Sequence, residues 1–206
     1  MNAQRWTDLM RSFGWETNLE TFAGLQAAYA ENHRHYHNGE HVQACLEQLD
    51  RCVEQAEHPA EVELALWFHD AIYSPLSGAN ERKSADWAVS LMKLNRATAE
   101  AIACVERLIM ATRHDAEPDT RDESLLVDID LSILGADPGV YDAFEQAIRK
   151  EYAVVPGFVF RRKRAAVLAG FLKRPRIYAN EPFHREREQQ ARVNLQAAIA
   201  RLGGAA

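Results

Sequence analysis

Four short stretches carry side chains able to hold a cation or move a proton. They are His37-Asn38-Gly39-Glu40-His41, His69-Asp70, His114, and the two aspartates of Val127-Asp128-Ile129-Asp130. The first reads H-x-x-E-H, the pattern in which inverted zinc proteases place two histidines on one helix face beside a general-base glutamate. Asn38-Gly39 is a poor helix interior, and Asn38 is better placed as the cap of a helix that begins there. His37 then stands before the helix, outside any i,i+4 relation with His41, which argues against the protease reading. His69-Asp70 closes the apolar run Leu64 to Phe68, where an unpaired carboxylate is penalised. Taken alone, the dipeptide is a helix-terminal imidazole facing the dipole and an aspartate taking nearby amides. It has company: His41 opens a separate amphipathic stretch, and Asp130 sits in a strongly apolar one. Two imidazoles and two carboxylates brought together make a mixed nitrogen and oxygen site for a divalent ion.

The order H…HD…D resembles the HD-domain superfamily of metal-dependent phosphohydrolases. His41 in YHNGEHV, His69-Asp70 in LALWFHDAIY and Asp130 in VDIDLSILG carry the resemblance. The phrases NERKSADWA, ATRHD and RPRIY are similar to a subgroup of small stand-alone members with expected hydrolase activity, and the likeness runs from about His33 to Asn194. It implies an all-α bundle with additional C-terminal helices, and a divalent ion (manganese, iron, cobalt, nickel, zinc or magnesium) held by His41, His69, Asp70 and Asp130. Asp128 is also available, but the family's last aspartate directly precedes a leucine, which fits Asp130-Leu131. The family's first histidine directly precedes a valine, which fits His41-Val42 over His37. The implied substrate is a small phosphate ester, a nucleotide or related metabolite, and the metal would acidify water and polarise phosphorus. The same ligand set would also suit a domain that binds without turnover, or a hydrolase or di-iron oxygenase acting on other substrates.

Around the ligands, Asp70, Glu81 and His114 are the candidates for catalytic work. Glu81 opens the helix after the His69-Asp70 break and could orient water or accept a proton. His114 could bind a further metal or the phosphate. Arg82, Lys83 and Arg113 could neutralise a phosphate. Tyr36 and His37 could line the mouth, and Arg176 with Tyr178 could close over a base or phosphate. A basic group, Arg161 to Arg164 with Arg174, precedes that last pair.

These residues must be positioned by helices, since the apolar spacing is helical almost throughout. Leu19, Phe22, Leu25 and Tyr29 mark one stripe, and Val42, Cys45, Leu46, Leu49 and Val53 a second. Glu61 to Tyr73 is expected as a buried helix, ended by Pro75 and Gly78. Helices are expected from Asn80 (as N-cap) to Leu94, and from Thr98 to Thr112, with a loop over His114 to Asp122. Leu125 to Leu134 alternates like a strand, yet no second strand exists to pair with it, so it reads as helix. Further helices are expected over Pro138 to Ala153, Phe158 to Lys173 and Phe183 to Leu202, and the terminal GGAA is expected to fray.

The 206 residues suit one all-α domain spanning 1–206, with 47% hydrophobic and 26% charged residues. A net charge of −6 argues against attachment to nucleic acid or an anionic membrane by bulk charge. No apolar run approaches the ~20 residues of a membrane span, and the N-terminus lacks a signal-peptide profile. The cysteines, Cys45, Cys52 and Cys104, form no C-x-x-C pair. They are expected to be reduced core residues in a cytoplasmic protein, with no cysteine metal site. Oligomeric state is silent.

Overall fold

The structure is a computed structural model, and it describes residues 1–203. Among the described residues the fold is all-α, without strands. Two compact units divide the chain, Met1–Ile129 and the residues from Asp130 onward.

The first unit contains α1 (Ala3–Ser12), α2 (Leu19–Tyr29), α3 (Gly39–Cys52), α4 (Pro59–Phe68), α5 (Asn80–Leu94), α6 (Ala99–Ala111) and α7 (Arg121–Asp130, whose last residue lies past the division). α4 is its axis: apolar nearly all round, it packs against α1, α3, α5 and α6 and buries Val62, Leu64, Ala65, Leu66, Trp67 and Phe68. α1, unmarked by the stripes above, starts on an Asn2 cap whose side chain accepts from the Gln4 amide at 2.9 Å. It contributes Trp6, packed edge-on to Trp67 with ring centroids 5.5 Å apart.

Two expected boundaries are corrected. α4 begins earlier, because Pro59 suits a first helical position, and ends at Phe68 instead of Tyr73. The chain turns at His69-Asp70, and the Ile72 amide donates to Ser84 Oγ at 3.0 Å. Asn80 does not cap α5. Ala79 takes that place, and the Asn80 amide brackets Ser74, accepting from its N–H at 3.1 Å and donating to its carbonyl at 2.9 Å. Leu125 to Leu134 is helical as expected, with α7 giving way to a 3-10 turn over Leu131–Gly135. Asp122, at the start of α7, accepts the amides of Glu57 and His58 at 2.7 and 2.9 Å, fastening the entry of α4.

The second unit contains that 3-10 turn and α8 (Pro138–Glu151), α9 (Gly157–Lys173) and α10 (Glu181–Gly203). α10 packs along α9 and the 3-10 turn. At Gly135 a Cβ would meet Arg187 Cβ at 2.5 Å and its carbonyl oxygen at 2.7 Å, so only glycine allows this approach. Asn194 donates to the carbonyls of Leu134 (2.9 Å) and Ala136 (2.8 Å). Of the terminal GGAA, Gly203 still belongs to α10, and residues 204–206 lie outside the described residues.

Candidate metal centre

Asn38 caps α3 as expected, its side chain accepting from the amides of Glu40 at 2.9 Å and His41 at 3.3 Å. That cap sets His41 in the first turn of α3, buried at 6% exposure, and leaves His37 outside the helix. His69 follows the last residue of α4 and is 1% exposed. Its Nδ1 lies 2.9 Å from the Leu66 carbonyl oxygen. A carbonyl only accepts, so Nδ1 carries the hydrogen and Nε2 presents its lone pair.

That lone pair meets two other donors. His41 Nε2 lies 3.0 Å from His69 Nε2. Asp70 Oδ2 lies 3.1 Å from His69 Nε2 and 3.5 Å from His41 Nε2. Ligand atoms about 2.1 Å from one cation, at near-right or tetrahedral angles, stand about 3.0–3.5 Å apart. Burial pushes the Asp70 carboxyl up, but the imidazoles of His69, His37 and His41, when protonated, outweigh it and hold the group well below the usual carboxylate range. Asp70 is therefore an anion at neutral pH.

Asp130 is the last residue of α7, and Cys45, one turn beyond His41 on α3, offers a ligand atom within 4.8 Å of those of His41 and His69. Buried imidazole, thiol and carboxylate at this range could hold a metal ion, and the donors present fit a divalent one. Asp128 is buried and is not among these atoms.

An aromatic wall stands beside the cluster. Tyr36 lies 4.7 Å from the His41 ring, and His37 stacks on Tyr73 at 4.3 Å (centroid distances). Tyr73 is also parallel to His33 at 6.2 Å.

Other expected contacts are placed elsewhere. Arg82 binds Glu106 at 2.7 Å and Asp86 at 3.1 Å, linking α5 to α6, so its charge is already matched. Arg113 pairs with Asp115 at 2.8 Å. Lys83 is exposed, and Glu81 is half-buried in the first turn of α5. His114 follows α6 with a left-handed backbone, φ 56°, and is not among the converging ligand atoms. Within the second unit, Arg176 binds Glu181 at 2.9 Å and Arg164 binds Glu145 at 2.7 Å. Tyr178 is fully buried and donates to the Leu131 carbonyl at 2.9 Å, a core residue and not a movable wall.

The sequence reading missed three residues. Cys45 was legible as the i+4 neighbour of His41, although its apolar stripe argued for a core thiol. Tyr73 and Arg34 carry no such signal. Arg34 is buried beneath the cluster and donates to the carbonyls of His37, Asp70 and Ala71.

A groove of about 820 Å³ in the first unit lies at the start of α1 and α4, lined by Arg5, Asp50, His58 and Glu63 among others. Arg5 is tied there to Asp50 and Glu63, so this is a braced surface and not the convergent site. No family model, curated protein or solved structure matches the chain.

Proposed function

We propose that this protein is a metal-dependent phosphohydrolase of the HD type, acting in the cytoplasm on a small phosphate ester, a nucleotide or related metabolite. One observation carries the reading: the convergence of His41 Nε2, His69 Nε2 and Asp70 Oδ2 within 3.5 Å. The order of these residues in the chain, with Asp130 after them, supports the HD assignment. A divalent ion there would supply Lewis-acid polarisation of the phosphate and a more acidic water.

The chain's own residues set the terms. The Leu66 carbonyl holds the His69 tautomer. Asp70, kept anionic, offsets the charge of the ion. Tyr36, edge-on to His37, and the stacked His37–Tyr73 pair put aromatic rings beside the site, against which a base or sugar ring could rest.

The test is phosphate release from a panel of nucleotides and simple phosphomonoesters by chelator-treated protein with manganese, cobalt, nickel, zinc or magnesium restored. Release should depend on metal. His69→Ala and Asp70→Ala should each lower metal affinity by about 100-fold or more, beyond the 10–100-fold typical of outer-shell changes. Full metal occupancy in both variants would sink the ligand assignment. Stoichiometric metal with no turnover across the panel would turn the reading to a binding or sensing domain.

A further inference from the structure

Arg34 is among the few charged side chains buried in the first unit, with 6% of the residue exposed. Its guanidinium is nearly saturated. Nε donates to Glu31 Oε2 at 2.9 Å. Nη1 donates to the carbonyls of His37 at 3.0 Å and Asp70 at 2.6 Å. Nη2 donates to the carbonyl of Ala71 at 2.9 Å. The same group lies over the rings of Tyr29 and Tyr73, 5.2 and 5.5 Å from their centroids.

These partners come from three places. Glu31 follows α2, His37 precedes the cap of α3, and Asp70 and Ala71 form the turn where α4 stops. A helix end leaves carbonyls without internal partners, and the carbonyls of this turn are answered by a planar fork from 36 residues upstream. The turn is the backbone that presents His69 and Asp70. Its other partner at His37 is only four residues before His41. One rigid cation therefore ties the backbone carrying two cluster residues to the backbone carrying a third.

We infer that Arg34 is a positioning residue for the metal centre: it holds the His69-Asp70 turn in register with the start of α3, so that three donors reach one ion. This rests on the metal reading above. A lysine keeps the charge but has no fork, and cannot address carbonyls on two segments in one plane.

The experiment uses full-length, chelator-treated wild type, Arg34→Lys, Arg34→Ala, Glu31→Gln and His69→Ala. Cobalt and manganese affinity is measured by calorimetry well below each melting temperature, alongside the visible spectrum of the cobalt form. Arg34→Lys should bind roughly 10–100-fold more weakly, the range for lost outer-shell support, with an altered cobalt spectrum. Guanidinium ion added to Arg34→Ala should restore part of the affinity. If Arg34→Lys fails to fold, Glu31→Gln, which weakens the Nε anchor and leaves the Nη contacts in place, should still weaken binding several-fold. Lowered melting temperature in Arg34→Lys with unchanged affinity and spectrum would reduce Arg34 to a structural role and overturn the inference. Loss of binding in Arg34→Lys with full binding in His69→Ala would instead defeat the ligand assignment. Wild type that binds neither metal would defeat both.

Discussion

Cys45 shows how far proximity falls short of ligation. Its sulfur lies 3.8 Å from both Nδ1 and Nε2 of His41. A point equidistant from the two nitrogens lies on the plane that bisects the ring through Cε1. A cation about 2.1 Å out along the Nε2 lone pair would then be about 4 Å or more from that sulfur, against about 2.3 Å for a thiolate bond. In this rotamer the thiol would stand beside a cation on that lone pair without ligating it, although its sulfur lies within reach of the other ligand atoms. Cys45→Ala should keep metal affinity within about threefold, ~0.7 kcal/mol, and the cobalt-loaded wild type should lack a thiolate-to-cobalt charge-transfer band. A strong band that vanishes in Cys45→Ala would show that the thiol swings onto the ion. His41, His69 and Asp130 could be recognised in the sequence because a polar group in an apolar run demands a partner, and the order of these groups narrows what it is. Arg34 could not. An arginine flanked by histidines in a loop looks like a solvated charge, and its meaning depends on carbonyls of a turn that only the fold brings near.

Among the elements, the segment between α9 and α10 rests on one carboxylate. Glu188, 9% exposed, accepts from the Ile177 amide at 2.9 Å and the Tyr178 amide at 3.2 Å, and binds Arg192 at 2.7 Å. Burial pushes its carboxyl up, yet the two amides and Arg192 carry it below its ordinary value. A depressed folded pKa means stability that is present above the unfolded pKa, about 4.3, and is lost as pH falls through the folded one. Glu188→Gln should therefore destabilise the second unit by about 1.5–3 kcal/mol at pH 7, as for hydrogen bonds to charged groups. The gap from wild type should shrink as pH drops below about 4, read by melting curves from neutral to acid pH. A gap that stays constant with pH would mean that charge is not what the clamp uses. The same clamp accounts for the burial of Tyr178. Arg-Pro-Arg-Ile-Tyr looks like an exposed turn with a mobile ring, but the Glu188 carboxylate fixes the backbone and Leu131 takes the hydroxyl. α4 was legible in its core for the opposite reason, since an all-round apolar face needs no outside information. Its end was not, because the partners of the His69-Asp70 turn lie far away in sequence.

For the molecule as a whole, a metal centre of this kind is also a tie between distant parts of the chain. His41 and His69 are 28 residues apart, and both belong with Asp70 to the first unit. An ion that binds the folded state alone, supplied at about 100 times its dissociation constant, adds about 2.7 kcal/mol to stability. With a melting shift of about 2–8 °C per kcal/mol across domains of this size range, chelation should lower the first unit's transition by roughly 5–20 °C. The shift should be absent in His69→Ala. It should persist in Glu188→Gln, whose lesion lies in the second unit. Metal ligands must be deprotonated to bind, so the chelator-sensitive increment should shrink on acidification, independently of the Glu188 clamp. Calorimetric scans with and without chelator at two pH values would separate the contributions. An equal chelator shift in wild type and His69→Ala would place the ion elsewhere on the molecule.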